Sequence, residues 1–183
     1  MPFRITVLAL IGFSAILYAR ARHLAWQEPP VSVVRPPELV GNEWLNTPSP
    51  ITLKSRLGKV TMVEFWTFAC SNCQANLPIY ERILHKYERT GFTILAVHTP
   101  ELPQEFKTEN VKNFVSTHGI TYPVLLDQKY VNWRRWKQEY WPVIYLLDKQ
   151  GRVREKWVGE LNSMGNNGEA KIEKRIEDLE AEP

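Results

Sequence analysis

Cys70 and Cys73 are the only cysteines in this chain of 183 residues, separated by Ser71 and Asn72. If a helix begins at the first cysteine, the two thiols lie one turn apart and within disulfide reach. Unpaired N–H groups and the helix dipole then stabilise a thiolate at Cys70 and lower its pKa. Cys73, further along and more buried, is placed to resolve a mixed disulfide that Cys70 forms with a substrate. The competing use is a passive crosslink, but closing a four-residue loop gains little entropy, so as a staple the pair is weak. Structural zinc needs four ligands. His23, His85, His98 and His118 are scattered, with no His-x3–5-His. Neither a metal nor a cofactor beyond the Cys70–Cys73 dithiol is therefore expected.

The elements that must hold the pair can be read from apolar patterning. Residues 60–65 carry almost no polar alternation, which predicts a strand buried on both faces. Residues 72–89 predict a helix with Leu77, Tyr80, Ile83, Leu84 and Tyr87 on one face, Gly91 as its stop and a kink at Pro78. A second buried strand spans 92–97 and ends at His98-Thr99-Pro100-Glu101. A polar connection over 104–109, a helix over 110–118 and a strand over 123–126 follow, then a helix over 128–138. Strands over 143–147 and 152–158 form a hairpin around residues 148–151. A loop at 162–168 leads to a last amphipathic helix over 170–181, with Ile172, Ile176 and Leu179 inward. Short strands are expected at 40–45 and 51–53. A β-α-β start with a closing β-β-α predicts an α/β layer fold on a mixed sheet.

Residues 5–19 are apolar or small throughout, with Arg4 before them and Arg20 and Arg22 after. As a helix they span about 22 Å, short of the roughly 30 Å hydrocarbon core. That length lies between a signal-peptide core and a spanning helix, and flanking arginines can snorkel. Residues 1–22 therefore read as an uncleaved membrane anchor, with a cleaved signal segment as the alternative; either exports the protein. Residues 27–38 hold four prolines in twelve residues, so 23–38 read as an extended linker, and 39–183 as the globular domain. Arg4, Arg20 and Arg22 account for the whole net charge of +3, and the rest of the chain balances. A phosphate-binding surface needs a one-signed basic field, so nucleic acid is excluded as a partner.

Glu64-Phe65-Trp66-x-x-x-Cys70-x-x-Cys73 resembles the thioredoxin motif, with Pro78 at the position of that family's helix proline. Tyr140-Trp141-Pro142-Val143-Ile144-Tyr145-Leu146 resembles the segment holding the family's cis-proline. The helix plus strand after Val97 resembles the insertion of the TlpA/ResA-type extracytoplasmic thioredoxins. Phe65-Trp66-Thr67, Val97-His98-Thr99-Pro100-Glu101 and Ile120-Thr121-Tyr122-Pro123-Val124 are similar to the thioredoxin-like domain of DipZ-type proteins. The likeness covers about residues 39–159. It departs in Ala69, where thioredoxins place tryptophan, and in Ser71-Asn72 between the cysteines. It implies a thioredoxin-like three-layer fold with a mixed central sheet and an inserted helix plus strand.

What the resemblance implies for the site is specific. Glu64, poorly solvated behind the pair, would relay a proton to or from Cys73; a buried ion pair with Lys59 is the alternative. Pro142 would follow a cis peptide bond and keep the cysteines accessible, and Trp141 would pair main-chain groups with an extended substrate. Trp66 would pack beside Cys70 in the same groove. Glu101 is a candidate accessory acid or a solvated loop acid. Trp133, Trp136 and Tyr140 could join the groove, with sheet packing the expected role of the first two. The implied activity is a membrane-tethered, periplasmic-side thiol–disulfide oxidoreductase acting as a reductase. Its implied partners are protein thiols and disulfides, a membrane electron donor and the inner membrane.

Two rivals carry different expectations. Thr67-x-x-Cys70 also fits the end of the peroxiredoxin motif, which places proline where this chain has Val63; that reading is a thiol peroxidase. The other is a non-catalytic redox-sensing or binding module.

Overall fold

In the computed structural model, residues 34–183 are described; the anchor or signal segment and the linker up to residue 33 lie outside the described residues. Among the described residues no helix is long and apolar enough to cross a membrane.

Six strands make one sheet. They are β1 (Trp44–Leu45), β2 (Thr61–Trp66), β3 (Thr93–His98), β4 (Val124–Leu126), β5 (Val143–Leu147) and β6 (Val153–Val158), in the order β1-β4-β3-β2-β5-β6. β2 pairs parallel with β3, which pairs parallel with β4; β5, β6 and β1 run antiparallel to their neighbours. Every residue of β2 is buried, which explains its uninterrupted apolar pattern: a central strand covered on both faces has no solvent side to mark.

Alternation along β2 splits the core. Met62 and Trp66 face the cluster built with Tyr80, Ile83, Ile172 and Ile176, from helices α1 (Ser71–Tyr87) and α4 (Gly168–Ala181). Val63 and Phe65 face the opposite cluster, with Trp136, Val143, Tyr145 and Leu147. Glu64 lies between Met62 and Trp66 in the alternation and so shares the α1 face. Helix α2 (Thr108–Thr117), the inserted one, buries Val111 and Val115. The three-layer expectation is met.

The docking of α4 shows which forces hold the layers. Ile172, Ile176 and Leu179 are almost fully buried, contributing about 1.5–3 kcal/mol each. The ion pairs Arg82–Glu169, Lys86–Glu173 and Lys86–Glu177 tie α1 to α4 at the exposed rim, where such pairs contribute below about 1 kcal/mol each. Apolar burial decides this contact.

Two sequence expectations change. The strand expected at 51–53 is the start of a single 3-10 turn, Leu53–Arg56, because Thr52 caps the Ser55 amide and the Glu38 carboxylate accepts from the amides of Leu53 and Lys54. The helix expected over 128–138 shrinks to α3 (Val131–Arg135), since Tyr130 (φ 57°) and Lys137 (φ 52°) adopt left-handed backbone on either side. The apolar positions there come from burial of Trp133 and Trp136 against Phe65 rather than from a long helix.

Candidate active site

β2 delivers the chain to the pair, and α1 begins on it. Cys70 is the N-cap of α1, with φ −79° and ψ 116°, and the Cys73 amide donates to its Sγ at 3.4 Å. Both cysteines are free thiols, Cys70 half-buried and Cys73 buried. The Cys73 thiol donating to Cys70, helped by the amides of Cys73 and Asn72, brings the Cys70 pKa down to about 7, against burial and the nearby Glu101 charge. Burial pushes Cys73 strongly upward, and its hydrogen bond to Cys70 adds to this. One thiol is thus ready to ionise near neutrality while the other holds its proton.

Glu64 lies on the same sheet face and is fully buried. Neither carboxylate oxygen has a hydrogen-bond partner, so the ion pair with Lys59 is not formed. Burial raises its pKa to about 8; the Tyr80 phenol partly opposes this and the Cys70 charge adds to it. With no donor close enough to bond and the Tyr80 phenol opposing burial only in part, this carboxyl is stable in the interior as the neutral acid.

A second acid supports the site in the opposite way. Glu105, on the 3-10 turn Pro103–Phe106, is buried. Its Oε1 accepts from the Thr67 hydroxyl and from the Ala69 amide at 2.8 Å, and its Oε2 accepts from the Glu101 and Leu102 amides at 2.8 and 2.7 Å. Burial opposes its ionisation, yet the Thr67 hydroxyl and these three amides hold it below the usual carboxylate range. One carboxylate therefore clamps the residues just before Cys70 to the loop after β3. Over this clamp Phe68 stacks on His98 (5.7 Å) and on Phe114 (5.4 Å). His98 is buried with both ring nitrogens unpartnered, and burial brings its pKa down to about 4 against the pull of Glu105.

The groove residues divide. Trp66 is 1% exposed and packs edge-on against His98, so it supports the site from beneath rather than lining a groove. Trp141 is half-buried and stacks on Trp133 at 4.1 Å, and its peptide bond to Pro142 is cis. Val143 pairs with Phe65, which sets the Trp141–Pro142 turn against the end of β2 that leads into Cys70. Tyr140 is exposed at this rim, whereas Trp136 is buried between Phe65 and Tyr145. Glu101 is exposed, close enough to Cys70 to raise its pKa. Among the described residues no cluster of three or more His, Cys, Asp or Glu side chains is arranged to hold a metal ion.

Sequence reasoning passed over Glu105 and His98. Leu102-Pro103-Gln104-Glu105 does carry a signal: proline at the first helical position and glutamate at the third mark a helix start in which the glutamate bonds back to the cap amide. The Leu102 contact is that bond. Nothing local announces the reach of the same side chain to Thr67, 38 residues away.

Comparison with known proteins agrees with the geometry. Residues 42–156 match the AhpC/TSA family. The chain is 41% identical over 127 residues to Protein DipZ of Mycobacterium bovis, covering 68% of this chain and 18% of that protein. It is 29% identical over 148 residues to the thiol-disulfide oxidoreductase YkuV of Bacillus subtilis, covering 80% and 94%. The chain thus spans less than a fifth of the DipZ length. Its fold superposes on a thioredoxin-like protein solved in the oxidised form with a TM-score of 0.69 at 25% identity, covering 82% of this chain and 98% of the other. The chain belongs to the AhpC/TSA family of the thioredoxin-like superfamily, as a domain related to the DipZ- and YkuV-type proteins.

Proposed function

We propose that the protein is a thiol–disulfide oxidoreductase working as a reductase, with Cys70 as nucleophile and Cys73 as resolving thiol. The observation that carries this is the division of the pair: Cys70 half-exposed with a pKa of about 7, Cys73 buried and held protonated. The Cys70 thiolate attacks one sulfur of a substrate disulfide, forming the Cys70–substrate bond and releasing the other substrate sulfur as a thiolate, which takes a proton from solvent. Forming that bond removes the charge on Cys70. Its repulsion of Glu64 disappears, as does the proton-holding contact with Cys73. Neutral Glu64 takes up the Cys73 proton on one carboxyl oxygen as its own proton leaves from the other, and the Cys73 thiolate attacks Cys70, closing Cys70–Cys73 and freeing the second substrate thiolate. The substrate gains two electrons and the dithiol loses two. Glu64 passes its proton to the departing thiolate.

The exported, anchored arrangement rests on the apolar stretch 5–19 with its flanking arginines and on the proline-rich arm behind it. A membrane electron donor would return the pair to the dithiol. Cys73→Ser should trap protein substrates as mixed disulfides on Cys70, and a trap that captures none would remove the exchange reading. The reduction potential in a glutathione series sets direction; a value as oxidising as a dedicated disulfide-forming enzyme would reverse it.

The family match keeps a peroxidase reading in view. That chemistry needs Thr67 and an arginine around Cys70. The Thr67 hydroxyl is already bonded to Glu105, and no guanidinium is among the main influences on Cys70. Oxidation of Cys70 by hydrogen peroxide no faster than a free thiol's would dismiss it.

A further inference from the structure

The segment beside the cis-proline turn carries a charge pattern that the exchange chemistry does not use. Lys129, Arg134, Arg135 and Lys137 are all exposed, and Glu139 is the one exposed carboxylate in residues 128–140. Among the described residues six lysines and arginines pair with acids, and these four are among the fourteen that do not, distinguished by standing within nine residues of one another. In a described domain of 20 basic and 19 acidic residues, four unpaired cations within nine residues form a local field of one sign.

The segment is also rigid, which a merely solvated charge run need not be. Asp127 caps α3 by accepting from the amides of Asn132 and Trp133 at 3.0 and 2.8 Å. Asn132 exchanges two hydrogen bonds with the Val40 backbone, and Gln138 donates to the Tyr145 hydroxyl at 2.7 Å. The left-handed residues Tyr130 and Lys137 are non-glycine, each costing about 1 kcal/mol or more. Surrounding bonds hold that strained shape, and the shape turns Trp133 inward onto Trp141 while leaving the cations at the surface.

We propose that this ridge is the docking surface for an acidic stretch of the protein substrate, flanking the disulfide that Cys70 attacks. The inference rests on the exchange reading and names its substrate class. Arg134 and Arg135 follow Trp133 directly in the chain, and Trp133 stacks on Trp141 at the cis-proline turn, so a substrate chain that lies along this turn with its disulfide at Cys70 reaches the cations next. Charge complementarity of this kind raises association rates by about ten-fold or more at low ionic strength and is screened by salt. An acidic polypeptide fits better than an anionic membrane, because the cations sit on the segment whose Trp133 packs on the cis-proline turn beside which the substrate's disulfide must be received.

The test uses three disulfide peptides of equal length with acidic, neutral or basic flanks. Each rate of reduction is divided by the same protein's rate with neutral hydroxyethyl disulfide, so damage to the thiol chemistry cancels. The acidic peptide should react about ten-fold faster than the basic one at 20 mM salt, with the preference collapsing by 500 mM. In Arg134→Glu/Arg135→Glu/Lys137→Glu the order should reverse. Equal rates for the three peptides with the unmodified protein overturn the proposal, as does a preference that survives the substitutions or ignores salt. Substitutions that abolish binding to phosphatidylglycerol vesicles but leave the peptide preference intact would make the ridge a membrane contact instead. Failure to reduce hydroxyethyl disulfide at all would refute the exchange reading itself, a result distinct from any of these.

Discussion

Replacing Glu64 by leucine should make the protein more stable at neutral pH, and by an amount that depends on pH in a defined sense. The native carboxyl is fully buried, has no hydrogen-bond partner and titrates at about 8, against 4.5 for an ordinary glutamate. Between those values the native state holds a proton that the unfolded chain has released. The stability that Glu64 contributes by holding this proton is therefore present below pH 4.5 and is lost as pH rises from 4.5 to 8. At 1.36 kcal/mol per pH unit, the cost at pH 7 is about 3 kcal/mol. Glu64→Leu removes it, fills similar space and adds apolar burial next to Met62 and Trp66. Urea unfolding of the reduced protein and the variant from pH 4.5 to 8 measures the difference, in which all other groups cancel. The variant's advantage should grow by about 3 kcal/mol between pH 4.5 and 7. The same variant should close its mixed disulfide more slowly, by about a hundred-fold, for want of a base at Cys73. A stability difference that is flat across this range, or one that favours the unmodified protein at pH 7, would refute the argument from an unpaired buried acid.

The remaining predictions concern neighbouring groups. Alkylation of Cys70 by iodoacetamide should rise with pH through a midpoint near 7, and Glu101→Gln should move that midpoint down by removing a negative neighbour; an upward move would contradict the assigned influence. Glu105→Gln offers one oxygen where two are needed, leaving two of its four donors facing an amide N–H2. At about 1–3 kcal/mol for each of the two orphaned donors, denaturant unfolding should show a loss of about 2–6 kcal/mol, with broadened Cys70 reactivity; a change within experimental error would show the clamp to be idle. His98 titrates at about 4 instead of 6.5, so the unfolded chain binds its proton first and stability is lost as pH falls through that window. His98→Phe should gain about 2 kcal/mol relative to the unmodified protein on going from pH 7 to pH 5, and an unchanged pH dependence would remove His98 from the acid-labile set.

Patterning was informative wherever burial alone decides. β2, β3, β5 and the inward face of α1 follow from runs such as Thr61–Trp66 and from Leu77, Tyr80 and Ile83, because a covered strand or helix stripe must be apolar. The placement of Cys70 at a helix start, with Cys73 one turn on and Glu64 buried on the same sheet face, was legible too, since strand alternation and one helical turn set it. Reading failed where side chains bond to distant backbone. Residues 128–138 look helical by their tryptophans, but Asp127 and the left-handed Tyr130 and Lys137 cut the helix to five residues. Trp66 looks like a groove residue by its place in the motif, yet Phe114 of the inserted helix lies over it at 5.8 Å. Glu105 looks like solvated loop charge, because the partners that bury it come from another part of the chain.

The two buried glutamates show how one site keeps opposite protonation states at one pH. Glu64 and Glu105 have the same side chain and are both inaccessible to solvent; no bonded donor, with only the Tyr80 phenol nearby, against four bonded donors separates them. The acid without a bonded donor stays neutral, and in the proposed mechanism it is the one that exchanges a proton with Cys73. The acid with four donors stays ionised and cannot give up its charge without releasing two loops, so it belongs where geometry must not move. Its charge is stabilised by those donors, acts on His98 and is not among the main influences on Cys70, so the clamp fixes the approach to Cys70 without raising the Cys70 pKa. Exchanging the two environments, for instance by supplying Glu64 with a donor, would ionise the relay and deprive Cys73 of a partner that can pass the proton on to the departing thiolate. The placement of donors, more than the placement of acids, is what makes this pair of cysteines a site for exchange.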